Sequence, residues 1–521
     1  MSTITPIAKQ FIEMLQQAEA HSKQRHMHFK SAEKVHIVGA GGTLTAAYEQ
    51  LRNAAEYTEE HLLLQRAIRR FYRRLFLTRD AERIGTCGEE LAVELTLAGY
   101  LANDSLPTTI VTQISQESAR YFTYYQHVLN SGNASDAEDW GIATLAVRVE
   151  GLLTDHANRA AFVQFAYRYF VDSIDAKVVY GATIPDSYDT SVFIAVHRML
   201  LKSDNATIRQ ALLDRYQASP DNIEQFTTLN KHLDVLLAPE VAEKIGRIIN
   251  RQGAPLRVLW RMVTDTPDLA RLMQHRDKFL AAYEAQIMTE YQQMNTKINR
   301  GIAKSVIFLI ITKFLIGIAI EVPYDYIFHG SILWVVLIIN LLFPPIYMIL
   351  LRLTLVLPGR ANTMALIDRM DAIVYAERPN ITLTPTSGDT GSYSNAFNVL
   401  YGCLFVLVFG GVGWGLWLLG FSVVHLVIFF MFLSTASFLG FRLSRLIREI
   451  EAVETEQNGV LLIRDFLYLP FVVVGRWISE NYAKVNVVTL ILDMVIELPL
   501  KTVIRLVQQW GKFISSKQDE L

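Results

Sequence analysis

Cysteine is scarce in this chain of 521 residues, with only Cys87 and Cys403, far apart in the sequence. Two such cysteines are too few for a disulfide framework or for the paired ligands of a zinc knuckle. A cluster of histidines near the N-terminus matches no standard metal-ligand spacing; its members are His21, His26, His28 and His36. The sequence therefore predicts a reduced, cytosol-facing protein without a metal site.

Charge of one sign is also lacking, since 49 Lys and Arg against 51 Asp and Glu leave a formal net charge of −2. Such a chain has no global basic field that would attract nucleic acid. The motifs HExxH, GxSxG and paired CxxC do not occur, which removes the usual sequence evidence for an enzyme. We predict no catalytic residues, no cofactor and no nucleic-acid partner.

The stretch "EKVHIVGAGGTLTAAYEQLRN" opens like a nucleotide-binding loop but lacks parts of the fingerprint. Gly39 and Gly41 occupy two of the three required glycine positions, whereas Leu44 stands at the third. The chain then continues with helical periodicity, so the second strand with its ribose-binding acid is missing. A phosphate loop would need Gly-Lys-Ser/Thr, but Gly42 is followed by Thr43. We predict a flexible entry into a helix without nucleotide affinity.

Long apolar runs are present only in the second half of the chain. Crossing the hydrocarbon core takes roughly 20 apolar residues in a helix. Four segments are long enough, at about 302–320, 327–351, 396–420 and 421–440. The sequence therefore predicts four membrane spans arranged as two hairpins.

The Lys and Arg residues near the span ends predict the orientation. Ten of them lie on one set of alternating connections: Lys297, Arg300, Lys304, Arg352, Arg360, Arg369, Arg378, Arg442, Arg445 and Arg448. The other two loops, "EVPYDYIFHG" and the turn at "LGF", hold none. Cytoplasmic loops carry the excess of positive charge. We predict a multi-pass protein of the cytoplasmic (inner) membrane with both termini in the cytoplasm.

Helical periodicity elsewhere predicts an all-α fold. We assign residues 1–265 to a cytosolic helical domain and 266–301 to a connector helix that runs into the first span. The remaining segments are transmembrane hairpin 1 (302–351), a cytoplasmic loop (352–395), transmembrane hairpin 2 (396–441) and cytoplasmic or interfacial C-terminal helices (442–521). A continuous connector would couple the cytosolic domain mechanically to the membrane.

Polar and helix-breaking residues inside the first hairpin form a candidate intramembrane site. An unpaired charge at the position of Lys313 costs roughly 3 kcal/mol on insertion scales, and Asn340 on the second span is a candidate partner. Lys313 is either a counter-ion or substrate-path residue, or a side chain whose stem carries the ammonium to an interface. Pro344 and Pro345 should kink the second span, which marks either a transport site or a packed bend.

Two further patterns predict contacts. Gly411 and Gly415 form a GxxxG pair in the third span, typical of close helix packing, with dimerisation or a pore-lining kink as alternatives. One face of an amphipathic helix carries four arginines that form either an anion patch for phosphates or lipid headgroups, or a solvated and salt-bridged face. These arginines are Arg66, Arg69, Arg70 and Arg73.

The segment from Leu500 to Ser516 has an apolar half opposite a basic one. Lys501, Arg505 and Lys512 lie on the basic face, and Trp510 lies on the apolar face. This pattern predicts either a helix in the membrane interface or a helix docked on the protein itself.

Three stretches resemble an uncharacterised family of multi-span membrane proteins from small-genome candidate-phylum bacteria. They are "AYEQLRNAAEYTEEHLLLQRAIRR", "LLFPPIYMILLRLTLVLPGRANT" and "GRWISENYAKVNVVTLILDMVIELPLK". The resemblance covers most of the chain. It implies a cytoplasmic helical domain on a membrane anchor and carries no activity or site with it.

The sequence favours a non-catalytic membrane protein that presents a cytosolic helical scaffold or sensor domain. A transporter or channel that uses the polar residues of the first hairpin is the alternative, and a membrane-bound enzyme is a third. The expected partners are the lipid bilayer and a protein bound by the cytosolic domain, and the sequence also allows a homo-oligomer.

Overall fold

In the computed structural model, the described residues are 4–36, 49, 62–181, 184–238, 242–376, 394–452 and 459–484. Every regular element among them is a helix, and the only sheet-like pairing in these ranges is an isolated bridge between Lys34 and Pro107. The predicted all-α fold class is confirmed. The chain divides into two compact units, which we describe separately.

The N-terminal unit comprises Pro6–Asp172 and Val179–Ile249. The helices lying wholly or largely in it are Pro6–Ser31, Leu63–Leu77, Ala81–Gly85, Gly88–Leu97, Thr108–Asn130, Ala134–Asp136, the π-helix Ala137–Ala143, Thr144–Leu153, Ala157–Ser173, Tyr188–Leu200, Asn205–Arg215, Ile223–Leu236 and Glu243–Gln252. The short helix Ala176–Tyr180 lies at the boundary between the units.

The amphipathic helix Leu63–Leu77 illustrates how this unit folds. Ile68, Phe71 and Leu75 recur at spacings of three and four and are buried on one face. The Phe76 ring lies 5.0 Å from the Phe122 ring. Burial of each such large side chain contributes about 1.5–3 kcal/mol. The periodic apolar face therefore explains both the helix and its place in the core.

The C-terminal unit contains Ser173–Val178 and the described residues from Asn250 onward. Its helices are Ala254–Asp265, Leu269–Leu272, Arg276–Ile316, the π-helix Gly317–Glu321, Val322–His329, Trp334–Thr354, Arg360–Tyr375, Ser394–Leu418, Val423–Arg448 and Gly459–Lys484. Four of its helical stretches are long and apolar enough to cross a membrane: Arg276–His329, Trp334–Thr354, Val399–Leu418 and Val423–Arg448. We call these the first to fourth spans.

The first span differs from the sequence expectation at both ends. A continuous helix does lead into the membrane segment, but it begins at Arg276, because Asp268 adopts a left-handed conformation (φ 55°) and His275 is extended. The helix continues to His329, so most of the predicted loop "EVPYDYIFHG" is helical. The second span consequently begins at Trp334 rather than at residue 327.

Glycines allow close packing within this unit. A Cβ built on Gly440 would lie 1.9 Å from Leu351 Cδ2, and one on Gly475 would lie 2.0 Å from the backbone oxygen of Ser434. The helix Gly459–Lys484 is thus packed directly on the fourth span, and the Tyr468 hydroxyl also donates to the Ser437 carbonyl at 3.0 Å. This part of the predicted cytoplasmic or interfacial C-terminal segment lies against a span.

We expect Gly475→Ala to destabilise the full chain by about 1–3 kcal/mol, because the added methyl collides with backbone that cannot rotate away. Gly411→Ala is the matched control, since its Cβ meets no atom within 4 Å of the described residues. That control should be neutral or stabilising by up to about 1 kcal/mol through helix propensity. Thermal melting in lipid nanodiscs measures both, and equal melting temperatures for the two variants would contradict the packing described.

Candidate functional site

Lys313 lies deep in the C-terminal unit, with only 1% of its surface exposed. Its Nζ donates a hydrogen bond to Glu321 Oε1 at 2.7 Å and lies 4.8 Å from the centre of the Phe432 ring. Glu321 is fully buried as well. The ammonium is therefore buried between a carboxylate and an aromatic face.

A local irregularity of the first span brings the two charges together. Lys313 and Glu321 are eight residues apart, which exceeds two regular turns of about 3.6 residues. The π-helix Gly317–Glu321 accommodates an extra residue at this point and places Glu321 beside Lys313. Pro323 follows directly and has no N–H to donate to the preceding turn. The π-helical turn therefore accommodates Pro323 and also allows the ion pair between Lys313 and Glu321.

Asn340 on the second span completes the group. Its Nδ2 donates to Glu321 Oε2 at 3.0 Å, so that Glu321 bridges Lys313 and Asn340. The predicted proximity of Lys313 and Asn340 is therefore present, although a residue that the sequence did not single out mediates it. We call Lys313, Glu321 and Asn340 the polar centre.

The two prolines of the second span lie one turn from the polar centre. Pro344 and Pro345 are buried, and the helix Trp334–Thr354 continues through both. Each removes a hydrogen bond to the carbonyl four residues earlier, so the carbonyls of Asn340 and Leu341 lack their usual partners. Both prolines thus lie inside a continuous helix, and the choice between a transport site and a packed bend stays a prediction.

A second acidic side chain lies one turn beyond Glu321. Asp325 is fully buried, and its Oδ2 accepts a hydrogen bond from the Leu333 N–H at 3.1 Å. Its Oδ1 lies 3.3 Å from Nε2 of the fully buried His425 and 3.6 Å from Nδ1 of His329. Ser422 precedes the fourth span, and its Oγ lies 2.8 Å from His425 Nδ1. We call Asp325 and His425 the acid–imidazole pair.

Sequence reasoning missed Glu321, Asp325 and His425. The two acids stand four residues apart, which places them on the same face of a helix. That face continues the polar side of the first span. Treating "EVPYDYIFHG" as a loop hid that signal, because polar residues and a proline usually end an apolar run.

The opposite end of the first span is fixed by polar contacts. The Tyr283 hydroxyl donates to the Pro255 carbonyl at 2.9 Å, and Arg276 forms two hydrogen bonds of 2.7 Å with the Asp371 carboxylate. Asn362 Nδ2 donates to the Tyr291 hydroxyl at 2.9 Å. These contacts connect the first span to the helices Ala254–Asp265 and Arg360–Tyr375.

The arginine face in the N-terminal unit carries several ion pairs. Arg73 Nη2 lies 2.6 Å from Glu138 Oε1, Arg69 also binds Glu138, and Arg70 lies 2.6 Å from Glu49. Burial by itself would raise the pKa of Glu138, but the contacts with Arg73 and Arg69 lower it below its usual value. These pairs match the salt-bridged alternative. The anion patch, which includes Arg66, stays a prediction.

The GxxxG pair in the third span faces open space. A Cβ on Gly411 or on Gly415 would have no neighbour within 4 Å among the described residues. Neither glycine is therefore used for packing inside this part of the chain, and the dimerisation alternative stays a prediction.

Two other predicted features lie outside the described residues. They are the nucleotide-like loop at Gly39 to Leu44 and the predicted basic helix with Lys501, Arg505, Trp510 and Lys512.

A group of buried ionisable side chains lies in the N-terminal unit. Arg159 Nη2 donates to Ser203 Oγ at 2.8 Å, and the same hydroxyl lies 3.2 Å from Nδ1 of the buried His197. Burial lowers the pKa of His197 to about 3. Glu150 is buried nearby, and desolvation raises its pKa to about 7 against the attraction of Arg159. We therefore expect the stability of this unit to depend on pH.

No cluster of three or more His, Cys, Asp and Glu side chains in the described ranges has an arrangement that would hold a metal ion. Comparison with protein-family models, with curated proteins and with solved structures finds no match to this chain.

Proposed function

We propose that this chain is a non-catalytic integral membrane protein that presents a helical scaffold or sensor domain to the cytosol. The observation that carries the proposal is the continuous helix Arg276–His329. One end packs against the helices Ala254–Asp265 and Arg360–Tyr375, and the other end bears the polar centre. A rigid element with fixed contacts at both ends is suited to transmitting a change between them.

The burial of the polar centre supports the same proposal. Lys313, Glu321 and Asn340 are buried, and Glu321 accepts hydrogen bonds from both of the others, while Asn340 Oδ1 has no hydrogen-bond partner among the described residues. A transport path needs polar groups that face water or a substrate. Groups that neutralise each other in a packed interior fit a structural linkage better.

A transporter or channel is the second candidate, because ionisable residues inside membrane helices often mark ion or substrate paths. Lys313 and Glu321 are such residues. Proteoliposomes that contain the full chain test this candidate. Flux of ions or protons that disappears in the double variant Lys313→Met/Glu321→Gln would favour it, whereas equal leak with and without the protein would support the scaffold or sensor.

Proximity labelling from the N-terminus of the full chain in cells tests the scaffold proposal. We expect a reproducible set of cytosolic proteins to be enriched over the same labelling enzyme on an unrelated membrane anchor. A labelling pattern indistinguishable from that control would contradict the proposal. The resemblance to membrane-anchored proteins of candidate-phylum bacteria is part of this proposal and adds no activity to it.

We further propose that both termini face the cytoplasm across the inner membrane, on the strength of the ten positive residues on one side. Single cysteines at Tyr326, which is 71% exposed, and at the exposed Thr296 probe the two ends of the first span. The background replaces Cys87 and Cys403 with Ala. An impermeant maleimide on intact spheroplasts should label the cysteine at position 326 and spare the one at 296. Labelling at position 296 but not at position 326 would show the opposite orientation and contradict the proposal.

A further inference from the structure

We propose that Asp325 and His425 together form a proton-binding site that joins the ends of the first, second and fourth spans. Asp325 lies near the end of the first span, and its carboxylate accepts from Leu333, which immediately precedes the second. His425 lies in the first turn of the fourth span. This site goes beyond the proposed scaffold or sensor role and does not depend on it.

Unsatisfied buried atoms point to the ligand. Asp325 Oδ1 and His425 Nε2 are 3.3 Å apart, and neither has a hydrogen-bond partner of acceptable geometry among the described residues. A buried polar atom without a partner destabilises the fold. An imidazolium facing a carboxylate would turn this weak contact into a charge-assisted hydrogen bond, which is shorter and about twice as strong as a neutral one.

The contacts at the other ring nitrogen define where the proton binds. The backbone N–H of Ser422 can only donate, and it points at His425 Nδ1 at 3.4 Å. A neutral ring that accepts there carries its hydrogen on Nε2, which lies 3.3 Å from Asp325 Oδ1 without the geometry of a hydrogen bond. Uptake of one proton at Nδ1 then gives an imidazolium that donates to Ser422 Oγ, 2.8 Å away. The pair changes from a net charge of −1 to zero.

Among the described residues, the charged groups around Asp325 and His425 do not neutralise the net charge of this pair. Glu321 and Lys313 on the first span also face it, but they bind each other. His329 approaches the same Asp325 oxygen at 3.6 Å and is 36% exposed, and in this proposal protons reach the pair past its side chain. Two aromatic rings of the described residues also lie near His425, that of Tyr324 at 5.9 Å and that of Phe421 at 6.1 Å. Protons are therefore the ligand that this enclosed site can both reach and hold.

Protonation would also alter the start of the fourth span. In the neutral form, His425 Nδ1 accepts from Ser422 and completes a reciprocal cap at the helix N-terminus. Once Nδ1 carries a proton, the Ser422 N–H loses that acceptor. Proton occupancy is thereby linked to the capping of a span, and such caps contribute to helix stability.

Nitrogen-15 NMR of histidine-labelled full chain in lipid nanodiscs tests the proposal, with His425→Gln assigning the His425 signals. We expect the wild-type ring to be the Nε2–H tautomer at high pH and to become imidazolium as the pH falls. In Asp325→Asn, the midpoint should fall by about one pH unit or more, a tenfold loss of proton affinity. The signal of the exposed His26 serves as an internal control and should be the same in every variant.

Two outcomes would overturn the proposal: a His425 ring that never titrates, or one whose midpoint is the same in wild type and Asp325→Asn. If Asp325→Asn does not fold, Ser422→Ala provides the second test, because it keeps both titrating groups and removes only the hydroxyl beside Nδ1. We then expect a measurable change of the His425 midpoint, and an unchanged midpoint would count against the site.

Discussion

Glu321→Gln should lower the free energy of unfolding of the full chain by about 3–5 kcal/mol, because it leaves the buried Lys313 ammonium without its counter-charge. The amide can still accept from Asn340, so the loss is mainly that of the ion pair. Thermal melting in nanodiscs should fall by on the order of 10 °C.

The double variant Lys313→Met/Glu321→Gln separates the charge from the packing. With both charges removed, no buried ion remains unpaired, and stability should return to within about 1 kcal/mol of wild type. Lys304→Met is the matched control, because Lys304 is an exposed lysine of the same helix and its loss should cost less than about 0.5 kcal/mol. If Glu321→Gln melts like Lys304→Met, the polar centre is not the buried ion pair described.

Glu150→Gln should stabilise the N-terminal unit at high pH and leave it unchanged at low pH. Burial raises the pKa of Glu150 from 4.5 to about 7. Stability that comes from its neutral form is therefore fully present below about pH 4.5 and is lost as the pH rises through about 7. Glutamine is neutral at every pH, so the variant should be more stable by about 3 kcal/mol at pH 8.5.

Melting temperatures of wild type and Glu150→Gln between pH 4.5 and 8.5 measure this difference. His156 and His197 have lowered pKa values, so their contributions are present above about pH 6.5 and are lost as the pH falls. They act equally in both proteins and cancel in the comparison. Glu13→Gln, at an exposed position, should give a flat difference curve. A flat curve for Glu150→Gln as well would show that this carboxyl is not desolvated.

The length and periodicity of the apolar runs were sufficient to predict the helical fold and four candidate spans. Those signals are local, because about 20 apolar residues in a row need no knowledge of their neighbours. The end of the first span was missed since Glu321, Pro323 and Asp325 carry the composition of a loop. In the structure these residues are helical, and Lys313, Leu333 and His425 lie against the two acids. Partners distant in the sequence are not visible from local composition.

The sequence predicted only part of the candidate site, because it shows local signals and not distant partners. The charge of Lys313 and the polarity of Asn340 stand out in apolar surroundings, which is a local signal. Glu321 reaches them through a π-type turn that no pattern in the sequence announces. The glycines show the converse, because the recognisable pair Gly411 and Gly415 meets no neighbour in the part of the chain that the structure describes, while Gly475 packs on backbone. A glycine motif indicates that a neighbouring helix can approach closely, but whether it does so depends on which helix packs at that position.

The central claim is that the helix Arg276–His329 couples the polar centre to the helices packed at its other end. Hydrogen–deuterium exchange of the full chain in nanodiscs tests it most directly, with wild type compared with Glu321→Gln. We predict faster exchange near residue 321 and also at Tyr283–Tyr291 and Arg360–Tyr375, while Thr108–Asn130 is unchanged. An increase confined to the residues around Lys313, Glu321 and Asn340 would contradict the coupling.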